Sequence, residues 1–186
     1  MNIGIALGIP FISKVKKILA RDTFNRADSP VLGKADTGQT WEQLYGVYEV
    51  KTKQVYAPGS SASIAGLNVG KPNYRIISDI YSTSNTTLGL AFRIVDKDTF
   101  YACRVYQMNL EIYKFNGATT LLGNFNGVGY GLKTLKIEVV GSTFKCYINN
   151  QLVLTVNDSD LANANKVGFR GAGVESYAKN IIVEEI

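Results

Sequence analysis

Between Thr134 and Val140 the chain alternates strictly, with Leu135, Ile137 and Val139 on one side and Lys136 and Glu138 on the other. Successive side chains of an extended strand point to opposite faces, so this is the signature of a sheet with one buried and one wet face. The same period recurs in short runs broken by turn residues. Tyr45–Val50 and Lys51–Tyr56 precede Pro58-Gly59-Ser60-Ser61, and Tyr74–Ser82 follows. Leu88–Val95 and Thr99–Tyr106 flank Asp96-Lys97-Asp98; Leu110–Phe115 and Thr119–Gly123 flank Asn116-Gly117, a pair suited to a tight hairpin. Thr134–Val140, Thr143–Ile148 and Leu152–Val156 form a meander, and Lys166–Arg170 and Asn180–Ile186 close the chain. About a dozen short strands at near-regular spacing predict an all-β fold, a two-sheet antiparallel sandwich.

The start of the chain does not share this pattern. Residues 1–20 are apolar from Ile3 to Ile12 and then basic. Residues 1–34 carry six cations against Asp22 and Asp28, a net of +4 in a chain whose total is +5, so the rest is nearly neutral. The expected organisation is an N-terminal docking arm over 1–20, with a short helix or extended strand over Ser13–Arg21, and a sandwich over 21–186. The cations follow the apolar run, the reverse of a secretory signal, and the run is too short to span a bilayer. Burial of Ile3, Ile5, Leu7, Ile9 and Phe11 against another protein would use the apolar residues that membrane-surface or nucleic-acid binding leaves idle. Lys14, Lys16, Lys17 and Arg21 would then assist against an acidic partner.

Absent side chains restrict the chemistry. With no histidine, the chain cannot build a Ser-His-Asp triad, a Cys-His pair or a histidine-ligated zinc site. The two cysteines, Cys103 and Cys146, sit among apolar neighbours and read as buried thiols rather than a disulfide framework, with a single bridge between them left open.

The segment Asp22-Thr23-Phe24-Asn25-Arg26-Ala27-Asp28, then Leu32-Gly33, then Asp36 to Trp41, resembles the opening of a concanavalin A-like (laminin-G/glucanase-like) jelly-roll module. Lys166-Val167-Gly168-Phe169-Arg170 and Asn180-Ile181-Ile182-Val183 are similar to that family's two final strands. Such modules are common in tailed-phage structural proteins and bacterial surface proteins, and the arm segment Gly4 to Ile9 resembles the N-terminal pieces of minor virion proteins. The resemblance implies a virion location, capsid or tail, with other virion proteins as partners of residues 1–20. It also implies a lectin-like sandwich able to contact host surface glycans. A trimer would suit a fibre or capsid decoration, though no heptad stalk specifies one.

Candidate sites follow from the strands. Glucanases of this class carry Glu-x-Asp-x-Glu on one strand; no such run occurs here, and no catalytic residue is assigned. Tyr101, Tyr106 and Tyr113 beside Arg93 and Arg104 are the candidate glycan contacts, because sugars stack on aromatic rings and are oriented by polar neighbours. Trp41 is expected to pack at the sandwich end. Asp158 and Asp160, in Asn157-Asp158-Ser159-Asp160, are weak calcium candidates in what reads first as a turn, and no cofactor is expected.

Overall fold

The computed structural model describes residues 16–59, 62–84, 87–172 and 176–186. Ile3, Ile5, Leu7, Ile9, Phe11 and Lys14 of the arm lie outside them. Two antiparallel sheets pack face to face, with strands numbered in chain order. One holds β1 (Ile18–Asp22), β3 (Glu49–Lys51), β4 (Gln54–Tyr56), β6 (Tyr74–Ser82), β11 (Gly131–Val140), β12 (Thr143–Ile148), β13 (Gln151–Asn157), β15 (Tyr177–Ala178) and β16 (Ile181–Glu185). The other holds β2 (Glu42–Tyr45), β5 (Ser63–Asn68), β7 (Thr87–Ile94), β8 (Thr99–Tyr106), β9 (Asn109–Asn116), β10 (Ala118–Asn126) and β14 (Lys166–Ala172), in the order β10-β9-β8-β7-β14-β5-β2. The described residues contain no helix, and so none long and apolar enough to cross a membrane.

Alternation places the core as the sequence predicts. Leu135, Ile137 and Val139 are fully buried, facing Ile76 and Ile80 of β6 and the inner residues of β7, β8 and β14. Cys103 and Cys146 are free, fully buried thiols whose sulfurs meet at 3.4 Å between the sheets.

One expectation is decided and another revised. Of the helix and the extended strand expected over Ser13–Arg21, the structure shows a strand where the segment is described. Ile18–Asp22 is a strand pairing with β16, Ile18 opposite Glu184 and Arg21 opposite Ile182. Lys16 and Lys17 reach Glu184 and Glu185 at 3.5 Å, so Lys16, Lys17 and Arg21 belong to the edge of the sandwich. Tyr45–Val50 is not one strand. The chain turns at Gly46, where φ is 64°, and crosses from β2 in one sheet to β3 in the other.

The opening motif ties β1 to the sandwich end. Asp22, fully buried, accepts hydrogen bonds from the Phe24 N–H (2.9 Å), the Trp41 indole N–H (2.8 Å) and both terminal nitrogens of Arg26 (2.8 and 2.9 Å). Trp41 stacks on Phe169 at 5.6 Å, with Phe24 and Tyr48 against the same ring, so the indole is core as expected.

Three two-residue hairpins have both central residues at positive φ, the geometry that matches strand twist. Asn149-Asn150 suits this, but Gln107 (46°) and Met108 (67°) between β8 and β9 do not. Left-handed conformations burden ordinary L-residues, and these two side chains are exposed. The double change Gln107→Asn with Met108→Gly should therefore stabilise the fold by about 1–2 kcal/mol. A higher urea midpoint at unchanged slope would register the gain; an unchanged midpoint would refute it.

Candidate functional site

The outer face of the seven-stranded sheet carries two side-chain rows separated by a row of small residues. Register defines them, since directly paired residues share a face. The middle row runs Tyr113, Ala102, Ala91, Gly168 and Gly66 across β9, β8, β7, β14 and β5. At Gly168 a Cβ would lie 1.9 Å from the Ala65 carbonyl oxygen, and at Gly89 one would lie 2.1 Å from that of Cys103. Small residues are thus required here, and the alanines and glycines of the row lie buried, with Ala91 and Ala102 packed against Ile64, Ile94 and Phe100.

One flanking row runs Glu111, Arg104, Gly89, Arg170 and Ile64. The other includes Phe115 and Phe100, stacked at 4.5 Å. Ile64, Ala91, Ile94, Phe100 and Ala102 pack as a small apolar cluster separate from the main core, with Leu44 and Phe115 against it. Guanidinium groups lie over the rings: Arg104 is 4.5 Å from the Tyr113 centroid and 5.2 Å from that of Tyr106, and Arg170 is 5.6 Å from Phe115. A cavity of about 490 Å³ opens beside Phe100, Phe115 and Arg170, bounded by Tyr45 and Ile64 at one side and by Lys97, Asp98 and Thr119 at the other. An aromatic face and a guanidinium fork at one cavity suit a polar ligand with apolar faces, such as a saccharide.

Among the described residues, three carboxylates of this face are engaged. Glu111 accepts from Arg104 Nε (3.0 Å), Glu42 from Lys166 Nζ (2.7 Å), and Asp98 pairs with its neighbour Lys97. Arg170 donates to the Thr87 hydroxyl at 3.5 Å and has no ion-pair partner among the described residues. Burial, with repulsion from Arg104, holds its pKa below the ordinary guanidinium value.

Of the five predicted glycan contacts, the structure brings together Arg104, Tyr106 and Tyr113 and removes Tyr101 and Arg93. Tyr101 has the opposite parity on β8 and is fully buried; its hydroxyl donates to Asp158 Oδ1 (2.6 Å), beside the Asp160 carbonyl oxygen at 3.0 Å. Arg93 is the extra residue of a bulge in β7, with φ of 47°, and its side chain runs inward. It donates to the carbonyl oxygens of Gly141 and Asp160 and lies over Phe144. Neither residue reaches the outer face.

The two calcium candidates are also corrected. Lys114 Nζ donates to Asp158 Oδ2 (2.7 Å) and Asp160 Oδ2 (2.9 Å), and the Asp160 N–H closes a turn onto Asp158 Oδ1 (2.9 Å). An ammonium already stands where a cation would have to sit. Burial works against it, but Lys114 and Tyr101 hold the Asp158 carboxyl below its ordinary pKa. No cluster of three or more metal-ligating side chains occurs among the described residues.

Sequence reasoning missed Phe100, Phe115, Arg170 and the small-residue row. Period two on β8 pointed to Phe100, which shares parity with Arg104 and Tyr106. Arg170 joins them only through pairing distant in sequence.

No protein-family model and no curated protein sequence matches the chain. Among solved structures it is similar to carbohydrate-binding module CBM66 from Bacillus subtilis (TM-score 0.63, 19% identity, covering 75% of this chain and 91% of that one). It is also similar to the CBM2 module of the evolved Dit protein of Lactobacillus casei BL23 phage J-1 (TM-score 0.57, 11% identity, 91% and 95% covered). A third is sheep galectin-11 in complex with glycerol (TM-score 0.51, 10% identity, 68% and 98% covered). At these identities the likeness is one of fold alone: the chain shares a jelly-roll sandwich with these proteins, consistent with a concanavalin A-like architecture.

Proposed function

We propose that this protein is a non-catalytic carbohydrate-binding module whose ligand lies across the outer face of the seven-stranded sheet. The observation that carries this reading is the cavity of about 490 Å³ on that face, lined by the Phe100/Phe115 stack and by Arg170. The engaged state of Glu111, Glu42 and Asp98 supports binding over hydrolysis, which needs a free carboxylate pair. The likeness to carbohydrate-binding modules supports the same reading.

Glycan-array binding of the wild type and of Tyr113→Ala, Arg104→Ala and Tyr81→Ala tests it. The first two lie on the same face beside the cavity, Tyr113 6.2 Å from the Phe115 ring and Arg104 over Tyr113, whereas Tyr81 lies in the other sheet, stacked on Tyr177 at 4.9 Å. Signal should fall about tenfold or more for the groove variants, as expected when an aromatic or arginine contact is truncated. Tyr81→Ala should bind like the wild type. Binding that follows Tyr81 and ignores Tyr113 would overturn the assignment.

A second reading places the module on a phage particle, with residues 1–15 docking it to other virion proteins and the groove facing a host surface. The apolar-then-basic arm and the likeness to a phage Dit module favour it. Removing residues 1–15 should abolish incorporation into particles and leave glycan binding intact.

A further inference from the structure

In the row Glu111–Arg104–Gly89–Arg170, two arginines stand on either side of a residue without a side chain. Neighbouring strands are about 4.8 Å apart, so the two backbones are about 10 Å apart, and the two guanidinium groups repel each other across the intervening strand. The Cys103 carbonyl oxygen bars any larger residue at position 89. The two charges are not equally compensated. Arg104 has Glu111 at 3.0 Å, and Lys97 at the cavity rim has Asp98. Arg170 has a hydroxyl at 3.5 Å and no carboxylate among the described residues, although it is half-buried and faces a second guanidinium. A guanidinium carries five N–H donors in a planar fork, and a partly desolvated one is most favourably completed by an oxyanion.

Building on the saccharide reading of this face, we infer that the groove is specific for acidic glycans, with Arg170 receiving a carboxylate or phosphate of the sugar and Phe100 and Phe115 receiving its apolar face. Lysine would keep the charge at position 170 and lose the fork, so geometry and charge separate by substitution.

The test is binding to an array that prints uronate-, sialate- and phosphate-bearing glycans beside neutral ones, together with methyl-esterified forms of the uronates. The wild type, Arg170→Gln, Arg170→Lys and Tyr113→Ala are compared after thermal unfolding shows which are folded. The expected result is signal on acidic spots only, lower by about tenfold or more in Arg170→Gln, intermediate in Arg170→Lys, and abolished by Tyr113→Ala. Loss on methyl esterification would identify a carboxylate; retention on phosphorylated spots alone would identify a phosphate. The esterified spots judge the wild type directly should Arg170→Gln fail to fold. Binding to neutral glycans that is lost in Tyr113→Ala would overturn the acidic specificity and leave the groove reading intact. Binding indifferent to Tyr113→Ala, or none at all, would overturn both.

Discussion

Replacing Asp22 with alanine is expected to lower the unfolding free energy by about 3–5 kcal/mol, the range for breaking a buried charged pair. For a chain of this length that corresponds to a fall on the order of 10 °C in Tm. Four donors lose one acceptor group at once: the Phe24 amide, the Trp41 indole and both terminal nitrogens of Arg26. Arg26 is only 26% exposed, and without Asp22 it keeps one hydrogen bond, to the Leu32 carbonyl oxygen at 2.7 Å, and the Phe24 ring at 5.2 Å, so its charge has no carboxylate. Asp22→Asn keeps an acceptor but sets an amide against the guanidinium, and should fall between. The double variant Asp22→Ala/Arg26→Met should cost less than the sum of its parts, because it removes the stranded charge. Urea unfolding of the four proteins measures this coupling. A loss below about 1 kcal/mol for Asp22→Ala would mean that this network adds no more than an ordinary hydrogen bond.

Stability should also fall steeply in alkali, at about 3 kcal/mol per pH unit above about pH 10 from Tyr48 and Tyr74 alone. Burial pushes both hydroxyls far above the ordinary tyrosine value, against the smaller opposing influence of Arg170 on Tyr48 and of Arg93 on Tyr74. The folded protein therefore keeps two protons that the unfolded chain releases near pH 10. Their contribution is fully present below that pH and is lost as the pH climbs toward the folded values. Lys133 works in the opposite direction. Burial lowers its proton affinity, so it favours the fold as pH rises, but only to about pH 10.4, where the unfolded lysine titrates. Urea midpoints across this range should decline together with the appearance of tyrosinate absorbance. Tyr48→Phe and Tyr74→Phe should each flatten the decline, and an unchanged slope in both would exclude these hydroxyls as its source.

The sequence disclosed the strands best where one face is wet. Tyr74–Ser82 was read to its limits because burial alternates along it, and Thr99–Tyr106 because the turn residues Asp96-Lys97-Asp98 mark where it begins. β5 was not read: Ser63 to Leu67 is buried on both faces, and such a strand shows no alternation. Within the site, parity alone could have separated Tyr101 from Arg104 and Tyr106, since the reading that buries Cys103 also buries Tyr101. Arg93 was beyond that logic, because a bulge with positive φ reverses the parity of the residues around it. Arg170, Gly89 and Ile64 become neighbours only through pairing across the sheet, information that no local spacing contains.

The pairing of β1 with β16 decides how the molecule carries tension. Ile18 faces Glu184, so the chain before β1 and the end of β16 leave the sandwich at one corner. A load on the N-terminal side, resisted by a ligand on the far sheet, does not shear a whole ladder. It reaches the β1–β16 rungs one after another and unzips them. Peeling would run inward from Ile18 to Asp22 and meet the Arg26 fork and the Trp41 indole there. The first strand is thus a short yielding leash with a built-in stop, and the seven strands that form the groove would keep their register while it gives way.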